Sequence, residues 1–173
     1  MPWEINGDLY GHDGIKNIDL FTHVLLQVKN LFDTTFGSEL IDEIFLFVDN
    51  ATSDSGYVPI TKTLFKKVVV IKLGIRPNSQ ASQIAFQFSH ELMHVVFRAV
   101  KGLAKPAANC TEEAICTAAS LITLKELYPD DLNLYMRYLK TRDDKKYRDG
   151  VQVASDVNFN LKDLMPLVEK CTY

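Results

Sequence analysis

Apolar positions along this chain switch between a helical and an extended period, and the switches mark its elements. Over residues 20–36, Leu20, Val24, Leu25, Val28, Leu31 and Phe32 recur every three or four positions, one face of a helix, and Gly37 is a natural stop. Residues 44–48 form a short β-branched and aromatic run that reads as a central strand. A turn-forming cluster follows over 49–56, and residues 57–61 begin a return strand. Residues 67–73, with Val68, Val69, Val70 and Ile71 in succession, are the clearest strand of all. Arg76, Pro77, Asn78 and Ser79 then break the chain and cap a long helix over about 80–101, which Gly102 ends. Lys105 and Pro106 turn into a second helix over about 111–127, and two more are predicted near 131–141 and 161–170. The opening stretch, 3–18, is rich in Gly, Asp and aromatics and reads as a loop or short hairpin. No repeat or linker interrupts the pattern, so residues 1–173 are expected to form one α+β domain.

The long helix carries the most informative residues, His90-Glu91-Leu92-Met93-His94. Positions i and i+4 share a helical face, so two imidazoles can offer nitrogens to one metal ion from one rigid element. Neutral imidazole suits zinc at about 2.0–2.1 Å. Glu91 is turned ~100° away around the helix, beside the metal without being obliged to bind it, where a general base for a metal-bound water belongs. The surroundings favour this reading: between Ile84 and Phe97 the only formal charge is Glu91. A carboxylate in so apolar a helix needs compensation, and a nearby cation is the simplest kind. His12 and His23 are isolated and read as structural.

A catalytic zinc site normally takes three protein ligands and a water. No histidine follows His94, so a downstream carboxylate has to complete the set, and Glu112 and Glu113 are both available. Asn109 or Thr111 is a good N-cap for the helix that follows, and an acidic residue in its first turn can serve only as helix-start chemistry. Glu112 stands at capping-box spacing from Asn109. Asp130 and Asp131, after Pro129, read as another helix start.

The pattern His90-Glu91-x-x-His94, eighteen intervening residues, then Glu113-Ala114-Ile115 resembles the gluzincin metallopeptidases, thermolysin-like and aminopeptidase-like alike. A glutamate opening an alanine-rich helix (Ala114, Ala118, Ala119) also resembles the small bacterial metallopeptidases that cleave repressors. The resemblance covers residues 67–128. It implies a zincin-like fold, in which a small mixed or antiparallel sheet packs against the active-site helix and further helices. It implies one Zn2+ per chain held by His90, His94 and Glu113, Glu91 as general base, and a protein or peptide substrate. An edge strand beside the cleft would hold that substrate, with residues 67–73 as the candidate. Where thermolysin-like proteins carry an aspartate four residues after the ligand glutamate, this chain has Thr117.

Composition narrows the classes further. Apolar residues make up 47% and charged residues 24%, ordinary values for a globular domain. A net charge of −3 provides no concentrated basic face, which argues against nucleic acid. No apolar run approaches a membrane span or a signal peptide, and three cysteines without paired metal spacing fit free thiols in the cytoplasm. Cys110 and Cys116 read as small buried hydrophobes. The mixed-sign stretch 140–148 reads as a solvated helix end or loop. Tyr57, Tyr128, Tyr135, Tyr138, Tyr147 and Arg98 are all candidates for oxyanion stabilisation, and oligomeric state is not encoded legibly. A metal-binding pseudoenzyme or regulatory interaction domain is the alternative to a hydrolase.

Overall fold

The computed structural model describes residues 2–6, 17–37, 43–51, 56–65 and 67–173. Among these residues are four strands and six α-helices: β1 (Trp3–Ile5), α1 (Ile18–Phe36), β2 (Phe45–Asn50), β3 (Ile60–Phe65), β4 (Val68–Leu73), α2 (Ala81–Lys101), α3 (Cys110–Leu127), α4 (Pro129–Lys140), α5 (Lys145–Asp156) and α6 (Met165–Lys170). A 3-10 turn over Leu161–Leu164 precedes α6. The class is α+β, as the periodicities predict. Asn17 caps α1 by accepting from Leu20 N at 3.0 Å, and Gly37, at φ 76°, ends it. Arg76 N instead of α2 takes the Ser79 hydroxyl, so the expected cap of the motif helix is not made and Gln80 stands at the N-cap without a side-chain bond.

The strands form an open mixed sheet in the order β1-β2-β4-β3, with β3 antiparallel to β4 and the other pairs parallel. Two expectations are corrected here. Residues 3–5 do not fold into a local hairpin; they pair in parallel with β2, Trp3 opposite Leu46. Positions 7–16, His12 included, lie outside the described residues. Nor is 67–73 an edge strand: β4 lies between β2 and β3. Its composition explains this, because Val69, Ile71 and Leu73 are fully buried and Val70 nearly so, the two-faced burial of an interior strand. The strand outside it is β3, which exposes Ile60, Leu64 and Phe65.

The core lies between the sheet and the helices. Leu46, Val48 and Ile71 meet Phe21, Val24 and Leu25 of α1 and Phe88 and Leu92 of α2 in one cluster. Helix α3 packs beyond α2 and against α4 and α5. Every residue from Ala114 to Leu124 of α3 is buried, the mark of a helix surrounded by others. The charged stretch 140–148 is, as read, solvated helix end and loop: Lys140 ends α4 and 141–144 form an exposed turn, and the unpredicted part is the helix that follows. That helix, α5, opens at Lys145, capped by Asp144, because Gly150, Val151 and Ala154 bury a face against α3. Among the described residues, no helix is long and apolar enough to cross a membrane.

Helices α3 and α5 approach closely at Gly150, where a β-carbon would fall 2.5 Å from Thr117 Cβ and 3.0 Å from the Ala114 carbonyl oxygen. Alanine is favoured over glycine within a helix by about 1 kcal/mol, but here the clash dominates. Gly150→Ala is expected to lower stability by about 1–3 kcal/mol in urea unfolding. An unchanged or raised midpoint would mean that the two helices separate without cost.

Candidate metal centre

One turn of α2 brings His90 and His94 side by side, with ring centroids 5.1 Å apart and planes at 72°. Both rings turn towards the first turn of α3. There the two oxygens of Glu113 lie 3.5 Å from His90 Nε2 and 3.6 Å from His94 Nε2. Glu112 is one residue earlier, so the helix carries its side chain behind His94 and away from the opening. It is completely buried, and its Oε1 lies 2.7 Å from His94 Nδ1. Lys105 Nζ donates to Glu112 Oε2 at 2.8 Å, and the Tyr173 hydroxyl donates to the same oxygen. Asn109 is the N-cap, accepting from the backbone of Glu112 at 2.9 Å. The reciprocal bond of a capping box gives way to the one with His94.

Charges follow this division. The imidazole of His90 holds the Glu113 carboxyl down at about 2 against the opposing effect of burial, with His94 and Lys146 adding to it. Burial pushes Glu112 upwards, yet the bonds from His94, Lys105 and Tyr173 outweigh it and leave the carboxyl below its ordinary value. Burial, and then Glu112, raises the Tyr173 phenol, which therefore remains a donor. Lys146 Nζ lies 3.7 Å from Glu113 Oε2. Burial is the largest single effect and disfavours its charge, but Glu113, Tyr147 and Asp144 together outweigh it and the ammonium is retained.

Glu91 is buried, and its Oε2 accepts from the Thr61 hydroxyl at 2.7 Å. Among the described residues, the Thr61 hydroxyl of β3 gives this carboxylate one compensating bond. All these groups border one cleft of about 480 Å³: Thr61 of β3, His90, Glu91 and His94 of α2, Glu113 of α3, and Lys146 and Tyr147 of α5. Among the oxyanion candidates, Tyr147 and Arg98 border the cleft. Arg98 is engaged as a tie, donating to the carbonyls of Thr61 at 3.1 Å and Leu103 at 3.5 Å. The others lie elsewhere: Tyr57 against Arg76, Tyr128 on Gln27, Tyr135 stacked on Phe86 and Tyr138 beside Arg142. His23 is exposed on α1. Asp130 and Asp131 open α4 behind Pro129.

His90, His94 and Cys116 form a cluster that could hold a metal ion, one ligand atom of each lying within 4.8 Å of the others. Cys116 Sγ is 3.4 Å from His94 Nδ1, the nitrogen that already faces Glu112. The thiol is wholly buried, and burial together with Glu112, Glu113 and Glu91 raises its pKa far above the ordinary value. Cys110, expected to be buried, is exposed. Thr117, at the aspartate position of the thermolysin-like pattern, bonds the Glu113 carbonyl at 2.9 Å and touches neither histidine. Glu112 occupies the orienting role instead, from the residue beside the predicted ligand. Glu112 was visible in the sequence as the first member of an acidic pair, whereas nothing local marked Lys105, Tyr173 or Thr61. No family model, curated protein or solved structure matches this chain.

Two outcomes follow for the metal-free protein. Removing the Glu112 carboxylate strands Lys105, whose side chain is only 2% exposed. Glu112→Ala should therefore lose about 3–5 kcal/mol of unfolding free energy, and Glu112→Gln less. A loss below 1 kcal/mol, roughly the value of an exposed pair, would contradict the buried network. Glu113 has its folded pKa depressed from 4.5 to about 2, so its contribution is complete above pH 4.5 and disappears as pH falls through 2. The stability gap between wild type and Glu113→Gln should accordingly shrink from pH 5 to pH 3. A constant gap would show that Glu113 titrates normally.

Proposed function

We propose that this chain is a zinc-dependent peptidase of the gluzincin type, with a zincin-like fold and one zinc per chain held by His90, His94 and Glu113. The observation that carries the reading is the convergence of both Nε2 atoms on Glu113, in a cleft that Glu91 shares. The separations support it. Ligand atoms about 2.0–2.2 Å from a tetrahedral ion stand about 3.4 Å apart, close to the 3.5 and 3.6 Å between the imidazole nitrogens and Glu113. Those gaps are too long for good hydrogen bonds. A set using Cys116 fits less well, because it would displace Glu112 from His94 Nδ1 and require a thiolate where burial opposes one.

When bound, the metal supplies Lewis acidity, lowering the pKa of a water and polarising a carbonyl. The protein's own groups do the rest. Glu91 takes a proton from the attacking water and returns it to the leaving amine, and the Thr61 hydroxyl orients its carboxylate meanwhile. Lys146 and Tyr147 face Glu91 and the histidines from the α5 side of the cleft, where a donor to a developing oxyanion is needed. An extended peptide would lie along β3, which has no strand on its outer side among the described residues and lends Val58, Pro59, Ile60 and Thr61 to the cleft. Strand addition recognises backbone, so a protein or peptide is the substrate class. Free thiols at all three cysteines suit the cytoplasm.

Elemental analysis and hydrolysis of a casein or peptide-library substrate test this together. About one zinc per chain is expected in the wild type, with loss in both His94→Ala and Glu113→Ala. Glu91→Gln should keep its zinc and lose hydrolysis by about 10²–10⁴-fold. Zinc retained in Glu113→Ala but lost in Cys116→Ala would move the third ligand to the thiol. A fully loaded wild type that cleaves nothing would favour a regulatory domain.

A further inference from the structure

The Glu112 carboxylate is served by three donors from three separate segments: His94 of α2, Lys105 of the loop after it, and Tyr173 beyond α6. Each of its oxygens has a task. Oε1 faces His94 Nδ1, and Oε2 collects Lys105 and Tyr173. A carboxylate facing Nδ1 requires the proton of a neutral imidazole to reside there, which leaves the lone pair on Nε2. That is the nitrogen directed at Glu113. Glu112 therefore selects the tautomer able to bind a metal from the cleft, provided its own rotamer is fixed.

Tyr173 is 45% exposed, unlike the carboxylate it holds, but its ring and its hydroxyl are both engaged. Its ring packs beneath Lys105, with Nζ 4.9 Å from the ring centroid. The preceding carbonyl, that of Thr172, accepts from Asn109 Nδ2 at 2.7 Å, and Cys171 is buried. Asn109 is also the N-cap that holds the backbone of Glu112. Residues 171–173 thus clamp the first turn of α3 from outside: none of them lines the cleft, although Lys105, which Tyr173 packs against, does.

We infer that Tyr173 is a positioning residue for the metal centre: through Glu112 it fixes the rotamer and tautomer of His94, so that residues 171–173 set metal affinity from outside the ligand set. The inference rests on the zinc-site reading above. Loss of an outer-shell partner typically weakens metal binding 10–100-fold. Tyr173→Phe keeps the ring over Lys105 and deletes only the hydroxyl.

The test compares full-length wild type, Tyr173→Phe and Lys101→Ala. The last cuts a different tie to the same region, Lys101 Nζ to the Glu169 carbonyl, without touching Glu112. Zinc affinity is read by competition with a chromogenic chelator, and the His94 imidazole nitrogens by long-range ¹H–¹⁵N spectra of zinc-free protein. About tenfold weaker zinc binding is expected in Tyr173→Phe, with Lys101→Ala like wild type. The spectrum of His94 should pass from one Nδ1–H tautomer to a mixture, a change that mere loosening of the fold would not produce. Equal affinity and an unchanged spectrum overturn the inference. Equal weakening in Lys101→Ala, again with His94 unchanged, also overturns it, since the effect is then general destabilisation. A wild type that takes no zinc overturns the metal-site reading instead. The zinc-free spectra then judge the positioning role alone, a tautomer change in Tyr173→Phe supporting it and identical spectra sinking it.

Discussion

A glutamate with no solvent exposure sits at the first turn of α3, and much of the surrounding structure follows from keeping it charged. An isolated carboxylate in such a place costs several kcal/mol and would ordinarily take up a proton. Glu112 avoids this with donors from three directions and with a helix N-terminus at its back, where the dipole favours an anion. Each donor has to be brought in by a different part of the fold. The loop between α2 and α3 must turn so that Lys105 points inward, and the chain after α6 must return to lay Tyr173 beside it. The carboxylate is thus a point at which α2, the following loop, α3 and residues 171–173 are made to agree.

Consecutive glutamates make this possible because a helix separates neighbours by ~100°. Glu112 goes behind His94 and Glu113 goes across the cleft, so one turn furnishes both an orienting anion and a facing anion. The two differ in environment as well as direction. Glu112 takes three donors from the protein, whereas Glu113 faces two nitrogens at 3.5 and 3.6 Å, long for hydrogen bonds. In the zinc-site reading, the two imidazole nitrogens and the facing carboxylate already stand at their places on two packed helices, the kind of preorganisation that favours binding.

What could be read along the chain was whatever is local. Helical spacing and Gly37 announced α1, a run of β-branched residues announced β4, and the His90–His94 spacing on one face was sufficient to pair the imidazoles. Asn109 was recognisable as a cap from its type and place. Sheet order was not readable, because the pairing of β1 with β2 in parallel and the insertion of β4 between β2 and β3 are decided by contacts across dozens of residues. The identity of the edge strand was lost with it. In α5 the helical period of Tyr147, Gly150, Val151 and Ala154 was present but hidden under charge. Cys110 and Cys116 look alike in sequence, and only the helix phase of α3 separates an exposed thiol from a buried one. Lys105 and Tyr173 lie 7 and 61 residues from Glu112, and no periodicity links them.

The phase of α3 also governs the opposite wall. Lys146 and Gly150 are one turn apart on α5, hence on the same face. Because Gly150 has no side chain, α5 can seat against Thr117, and Thr117 is one turn along α3 from Glu113. The two helices therefore share one contact that sets how far Lys146 stands from the Glu113 carboxylate. A larger residue at 150 would push the α5 end of the cleft outward and carry Lys146 and Tyr147 with it. The same helix thus orients one imidazole, faces both, and fixes the distance of the wall beyond them. Its burial on nearly every side is what makes it rigid enough to do all three.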